Sequence, residues 1–301
     1  MNAIEIRNLT KNFGEKQALS GLNMTVPMGS IYGFIGENGS GKSTTEKIIC
    51  GLIHKTSGDI KIYDKNHTDV DVRANMGVLI EQPGCFSNLT VWNNLMIQAT
   101  NLSIKDKANA VRKVLTMVRM EGSAGNKYKN CSLGMKQRIG IAMALLGSPK
   151  LLVLDEPING LDADGMRIMR EILTDIAKTG ATVLISSHIL GELEKIATHY
   201  GIIRNGKMIV EMTAEELENS CPTFVAIQTK DMKEAKEILN KKYSKVLFDE
   251  QKEYLRVYDA ESPEEVVKYL YDNKIIVNEL KTDKIGLEEY YINLMSNKEV
   301  K

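Results

Sequence analysis

Gly36, Glu37, Asn38, Gly39, Ser40, Gly41, Lys42, Ser43 and Thr44 run in the order that a phosphate cradle needs. The spacing Gly-x-x-x-x-Gly-Lys-Ser lets a backbone wrap an anion, with its N–H groups turned inward. A helix starting at the lysine aims the positive end of its dipole at the same point. Lys42 is then expected to reach the β- and γ-phosphates of a nucleotide. The Ser43 hydroxyl is expected to ligand Mg²⁺, and Thr44 to donate to phosphate. Asp155 and Glu156 close the apolar run Leu151 to Leu154. That places two carboxylates at a strand's carboxyl end, where open α/β sheets bind ligands. Asp155 suits Mg²⁺ through water, and Glu156 suits polarising an attacking water. His188 follows a similar run, Ala181 to Ile185 and then Ser186-Ser187, so it is expected to reach the γ-phosphate from the neighbouring strand.

These residues need strands and helices to hold them. Ile31 to Ile35 reads as a buried strand before the loop, with Ile48, Ile49 and Leu52 at helical spacing after it. Lys61 to Tyr63 and Met76 to Ile80 read as further strands. Residues 88–147 read as mostly helical. Ser103 and Asp106 resemble a capping box, ahead of an apolar face made by Ala108, Val111, Val114, Leu115 and Val118. Met166, Met169, Ile172, Leu173 and Ile176 mark another helix, closed by Gly180. Alternating strands and helices predict a mostly parallel sheet covered on both faces. Asn205-Gly206 splits Ile202 to Val210 as a two-residue hairpin signal. From Pro222 the order is strand, helix, strand, strand, helix, strand, which is ferredoxin-like and ends in a helix from Leu287 to Met295. The predicted domains are 1–221, with a helical part at about 88–147, and a small α+β domain at 222–301. No catalytic constellation falls in the tail. A regulatory or docking module and a stabilising appendage are both open.

Composition excludes several classes. The chain's 301 residues carry 39 basic and 39 acidic side chains. Both parts stay near neutral, with 25 basic and 23 acidic residues before Pro222 and 14 and 16 from there on. Nucleic acid is therefore not an expected partner, because its binders carry a basic excess. Cys50, Cys85, Cys131 and Cys221 show no metal-ligand spacing, and reduced thiols are expected. His54, His67 and His199 receive no role. The opening MNAIEIRNLTKNF has charges where a signal peptide needs an apolar core. No apolar run approaches the roughly 18 residues of a membrane span. A soluble chain is expected, with any spanning left to another polypeptide.

In order and spacing, these motifs resemble the ATPase subunit of an ABC transporter over about residues 1 to 215. Phe13 lies where that family stacks adenine. Cys131-Ser132-Leu133-Gly134-Met135 occupies the place of the signature motif, with Ser132 and Gly134 matching the family pattern. Asn159-Gly160-Leu161-Asp162 resembles the D-loop, and His188 the switch histidine. Glu81 stands where the family usually has the Q-loop glutamine. An alignment shifted by one residue puts Gln82 there instead. A glutamate at that place would keep an oxygen for Mg²⁺ and lose an amide donor. Leu133, Met135, Glu81 and the C-terminal extension together resemble the bacitracin-resistance and lantibiotic-immunity branch of peptide-antibiotic exporters.

The resemblance implies an antiparallel β subdomain and a helical subdomain around the core sheet. It implies ATP hydrolysis with Mg²⁺, a head-to-tail homodimer closed by ATP, and transmembrane permease subunits as partners. It also implies work at the cytoplasmic face of the cell membrane. In that dimer, Ser132 and Gly134 of one copy would face the ATP held by the other. The rival reading is an ABC-type ATPase without a membrane partner, acting on ribosomes or in DNA repair. Ribosome-associated forms usually carry two cassettes, and repair forms insert long coiled coils before the signature. Here there is one cassette, and 89 residues lie between Lys42 and Ser132.

Overall fold

The computed structural model describes residues 1–250 and 252–296. The chain divides into two compact units, the first Met1–Glu215 and the second starting at Glu216. That division lies six residues before the boundary read from sequence.

In the first unit, β1 (Asn2–Phe13), β2 (Lys16–Pro27) and β3 (Ile31–Ile35) lead into α1 (Lys42–Ile49). Then come β4 (Ser57–Ile62), β5 (Lys65–Asn66), α2 (Val70–Ala74) and β6 (Met76–Leu79). Three helices follow: α3 (Val91–Asn101), α4 (Lys107–Met117) and α5 (Leu133–Leu145). The chain returns as β7 (Leu151–Asp155), α6 (Ala163–Lys178), β8 (Thr182–Ser187) and α7 (Leu190–Leu193). The hairpin β9 (His199–Arg204) and β10 (Lys207–Thr213) closes the unit, before α8 (Ala214–Ser220).

The core sheet has the order β10-β9-β3-β8-β7-β6. Its pairings are parallel except at the β9–β10 hairpin. Every residue of β3, β7 and β8 is buried, as continuous apolar strands covered on both faces must be. In the hairpin, Asn205 at φ 50° and Gly206 at φ 72° form the expected left-handed pair. A second, antiparallel sheet has the order β2-β1-β4-β5. Sequence patterning did not identify its two long strands. In β1 the alternation breaks at register shifts around Asn8, whose φ is +49°.

Two local readings change. Leu52 does not extend the α1 face: Gly51 turns at φ +69° and leaves Leu52 61% exposed. Ser103 caps nothing and has φ +54°. Asp106 alone caps α4, accepting from the Asn109 N–H at 3.2 Å. The expected apolar face of α4 is buried at Val111, Val114 and Leu115.

The second unit continues as β11 (Thr223–Thr229), α9 (Met232–Leu239), β12 (Val246–Asp249) and β13 (Tyr254–Val257). It ends with α10 (Pro263–Asp272), β14 (Val277–Lys284) and α11 (Leu287–Met295). The antiparallel order β12-β13-β11-β14 is the ferredoxin-like arrangement. Alternation puts Val225, Ile227, Leu255 and Val257 on one face, in a core with Ala235, Leu239, Val266 and Leu270. The other face carries Arg256, with its guanidinium 4.9 Å from the Phe224 ring centroid. Arg256 pairs with Asp249, and at 2.6 Å with Glu289 of α11.

Candidate functional site

The loop between β3 and α1 is shaped by contacts that leave no room for other residues. A Cβ on Gly36 would stand 2.6 Å from the Ile203 carbonyl oxygen and 2.5 Å from Ser40 Oγ. Gly41 ends the loop at φ 117°, a backbone that favours glycine. No side chain caps α1, so its first amides remain available to an anion. The Gly206 N–H donates to the Ser40 carbonyl at 2.8 Å, so the β9–β10 turn braces the loop from outside. Lys42 is 6% exposed and rests its ammonium on the carbonyls of Gly36 at 2.5 Å and Glu37 at 3.2 Å. The Ser40 hydroxyl is buried without a hydrogen-bond partner. Glu37, Asn38 and Gly39 form the exposed tip.

Asp155 ends β7 beside this loop and is 8% exposed. One of its oxygens lies 3.4 Å from Ser43 Oγ, and the other accepts from the Ser186 hydroxyl at 2.8 Å. Ser186 stands opposite Asp155 in the parallel register of β7 and β8. Its carbonyl and its Oγ both accept from the Glu156 N–H, at 3.1 Å each. Glu156 itself sits at φ +49°. His188 Nδ1 lies 2.9 Å from Glu156 Oε2, with the imidazole about half exposed. Lys42, Ser43, Asp155, Glu156 and His188 thus converge along one edge of the sheet.

Hard oxygen donors of this kind suit Mg²⁺, which binds through one or two carboxylates plus substrate phosphates. Among the described residues, no group of three or more His, Cys, Asp and Glu side chains is placed to hold a metal by itself. Ser43 and Asp155 therefore fit a metal that arrives with a nucleotide.

The remaining sequence-predicted residues lie on other elements. Ser132 caps α5, accepting from the Met135 N–H at 3.3 Å. That bond uses an oxygen lone pair and leaves the hydroxyl hydrogen free to donate. Gly134, in the first turn, faces Leu161 of the Asn159–Asp162 segment. Asp162 caps α6 through the Gly165 N–H at 2.8 Å. Among the described residues, no hydrogen bond joins Ser132 to residues 36–44. Phe13 is half exposed, with the Lys11 ammonium 4.6 Å from its ring centroid. Glu81, at φ +64°, pairs with Lys47 of α1 at 2.7 Å. That pair holds the Glu81 carboxyl below its ordinary pKa. Gln82 lines a cavity of about 510 Å³ with Arg73, Gln98 and Met143.

Two residues carry geometry that sequence reading missed. Ser186 links Asp155 to the Glu156 backbone, and its signal was its place at the end of β8. Glu46, an acid on the buried side of α1, is 0% exposed. Burial first, then the nearby Asp155 carboxylate, push its pKa well above the usual carboxylate range.

Known proteins resemble this chain in sequence and in fold. A family model described as "ABC transporter" matches residues 19–159. The bacitracin transport ATP-binding protein BcrA of Bacillus licheniformis is 36% identical, over 97% of this chain and 97% of its own length. The lantibiotic transport ATP-binding protein SrtF of Streptococcus pyogenes is 41% identical, over 72% of this chain and 93% of its own. Among solved structures, cbiO1 from Clostridium perfringens, part of the ABC transporter complex cbiONQ, superposes with a TM-score of 0.67 at 25% identity. It covers 72% of this chain and 91% of that one.

Proposed function

This chain belongs to the ABC transporter family as an ATP-binding, ATP-hydrolysing subunit, and on that premise we propose that it powers export of a peptide antibiotic through separate membrane subunits. Similarity to BcrA and SrtF, whose names specify bacitracin and lantibiotic transport, supports that substrate class. No helix among the described residues is long and apolar enough to cross a membrane, which fits a peripheral subunit that docks on permease partners. The cavity beside Gln82 lies next to the Q-loop segment and suits contact with such a partner. The second unit is read as accessory, either docking or stabilising.

The observation that carries the catalytic reading is the 2.9 Å contact between His188 and Glu156, next to Asp155. Phosphoryl transfer needs placed charge and a placed water more than covalent chemistry. The amides of residues 36–44 bind the phosphates, and Lys42 is proposed to leave its carbonyl partners for the β- and γ-phosphates. Glu156 orients the attacking water and accepts its proton, while His188 holds the Glu156 carboxylate and meets the γ-phosphate. Mg²⁺, held by Ser43 and Asp155, would neutralise charge developing on the phosphate oxygens. Ser132 and Gly134 of a second copy would complete the γ-phosphate site, and Phe13 would stack the adenine. ATP can close such a dimer only through contacts that the open state lacks.

The test is Glu156→Gln, which keeps shape and loses the base. It should bind ATP and dimerise in light scattering, with turnover reduced by at least about 100-fold. Hydrolysis near the wild-type rate would remove Glu156 from the mechanism. Loss of bacitracin or lantibiotic tolerance in cells making that variant would support the substrate class. Unchanged tolerance would point to another cargo.

A further inference from the structure

Ser43 and Lys47 are four residues apart on α1, so they share one face of the helix, with their Cβ atoms roughly 5–6 Å apart. The Lys47 ammonium donates to the Glu81 carboxylate at 2.7 Å, which ties the segment after β6 to that face. Glu81 is thus drawn to the Ser43 side of α1, one turn beyond the hydroxyl that lies 3.4 Å from Asp155. It holds this place at φ +64°, a left-handed backbone that L side chains rarely adopt. Among the described residues, neither member of the pair has a second ion-pair partner. Both side chains reach solvent, Lys47 at 32% and Glu81 at 69% exposure, so the carboxylate is held and still free to leave. Lys47 lies in the last turn of α1, whereas the phosphate-facing amides lie at the first. The ammonium is therefore not placed as a phosphate contact.

We propose that Lys47 is a positioning residue for Glu81: it holds the carboxylate one helical turn from Ser43 in the nucleotide-free chain and releases it when Mg²⁺ arrives with the nucleotide. The inference rests on the reading of Glu81 as an oxygen donor to that metal. One carboxylate cannot serve both cations in full, so Lys47 and Mg²⁺ compete for it. Whatever the ion pair contributes is given up before Glu81 turns to the metal, and this weakens the apparent affinity for Mg²⁺ by the same factor. The openness of the pair sets that factor. An ion pair so exposed to water shifts an equilibrium by only about 1.5- to 5-fold. A purely structural pair would instead show in the melting temperature and leave the metal dependence alone.

The experiment uses the full chain with K47M, K47R, E81A and the double variant K47M/E81A. Affinity for a fluorescent, non-hydrolysable ATP analogue is measured in EDTA and in saturating Mg²⁺, at concentrations where light scattering shows monomer. Melting is followed in parallel. The ratio of the two affinities is the metal's contribution. E81A should lower that ratio. K47M should raise it about 1.5- to 5-fold, and K47R, which keeps the cation, should stay close to wild type. In the E81A background, K47M should change nothing. An unchanged ratio in K47M would overturn the proposal, whether or not melting shifts. An equal rise on adding K47M to E81A would overturn it too, because that marks a general effect of the lost charge. An unchanged ratio in E81A removes Glu81 from the metal, and the proposal falls with that reading. A lowered ratio in E81A beside an unchanged one in K47M overturns the proposal alone.

Discussion

Ser186→Ala removes one oxygen from the centre of the site, and the structure limits what is lost. The hydroxyl makes two hydrogen bonds, but they are not equivalent. The Glu156 N–H keeps the Ser186 carbonyl at 3.1 Å after the change, so that donor remains satisfied. Asp155 loses its 2.8 Å partner at a position where Ser186 is 0% and Asp155 8% exposed. A hydrogen bond to a charged group contributes about 1.5–3 kcal/mol net. If its role is to orient Asp155 toward Ser43, that energy should appear in metal-dependent nucleotide binding. The expected loss is then roughly 10- to 140-fold in the affinity for Mg²⁺ at fixed nucleotide. Phosphate release measured across a Mg²⁺ titration gives this value, and metal-free nucleotide binding should be unaffected. A Mg²⁺ dependence within about twofold of wild type would refute the reasoning, since twofold is only ~0.4 kcal/mol.

Arg256→Met should cost the second unit about 1–3 kcal/mol, because it removes the guanidinium that pairs with Asp249 while the Lys252 N–H to the same carboxylate remains. Amide exchange across β11 and β13 reports the loss, and adding Asp249→Asn should recover most of it. Glu171 is held below its ordinary pKa by hydrogen bonds from Arg119 and then Arg167. A carboxyl depressed in the fold stabilises above its unfolded pKa and loses that contribution as pH falls through the folded value. Glu171→Gln should therefore lower the melting temperature slightly at pH 7, by an amount that is lost as pH falls through the depressed folded value and that shrinks with salt.

What was legible in the sequence follows from how local each signal is. The loop from Gly36 to Thr44 is contiguous, and the strand before it is a plain apolar run, so both could be read directly. The ferredoxin-like order of the second unit was legible for the same reason: its strands alternate and its helices are short amphipathic runs, one of them capped by Ser262 at α10. The contacts of Ser186 and the burial of Glu46 were not legible, because they depend on which elements lie side by side. The parallel register of β7 against β8 sets Ser186 opposite Asp155. The packing of α1 into the core encloses Glu46. Neither adjacency is encoded within a short window. Leu52 and Ser103 were misread for a different reason, since left-handed backbone at Gly51 and Ser103 breaks a pattern that composition alone continues.

The strand order has a consequence for synthesis. β3 carries the phosphate loop, yet its partners are β8 and β9, more than 140 residues further along the chain. The Ser40 carbonyl is braced by Gly206, where a Cβ would stand 2.5 Å from the Ala18 carbonyl oxygen. A ribosome adding about 5–20 residues per second leaves the finished loop sequence without its supports for roughly 10–30 s. During that interval the nascent chain holds every residue of its phosphate cradle, but not yet both strands, β8 and β9, that flank β3. Nucleotide binding during translation should therefore begin abruptly, once the β9–β10 turn has emerged and closed against Ser40.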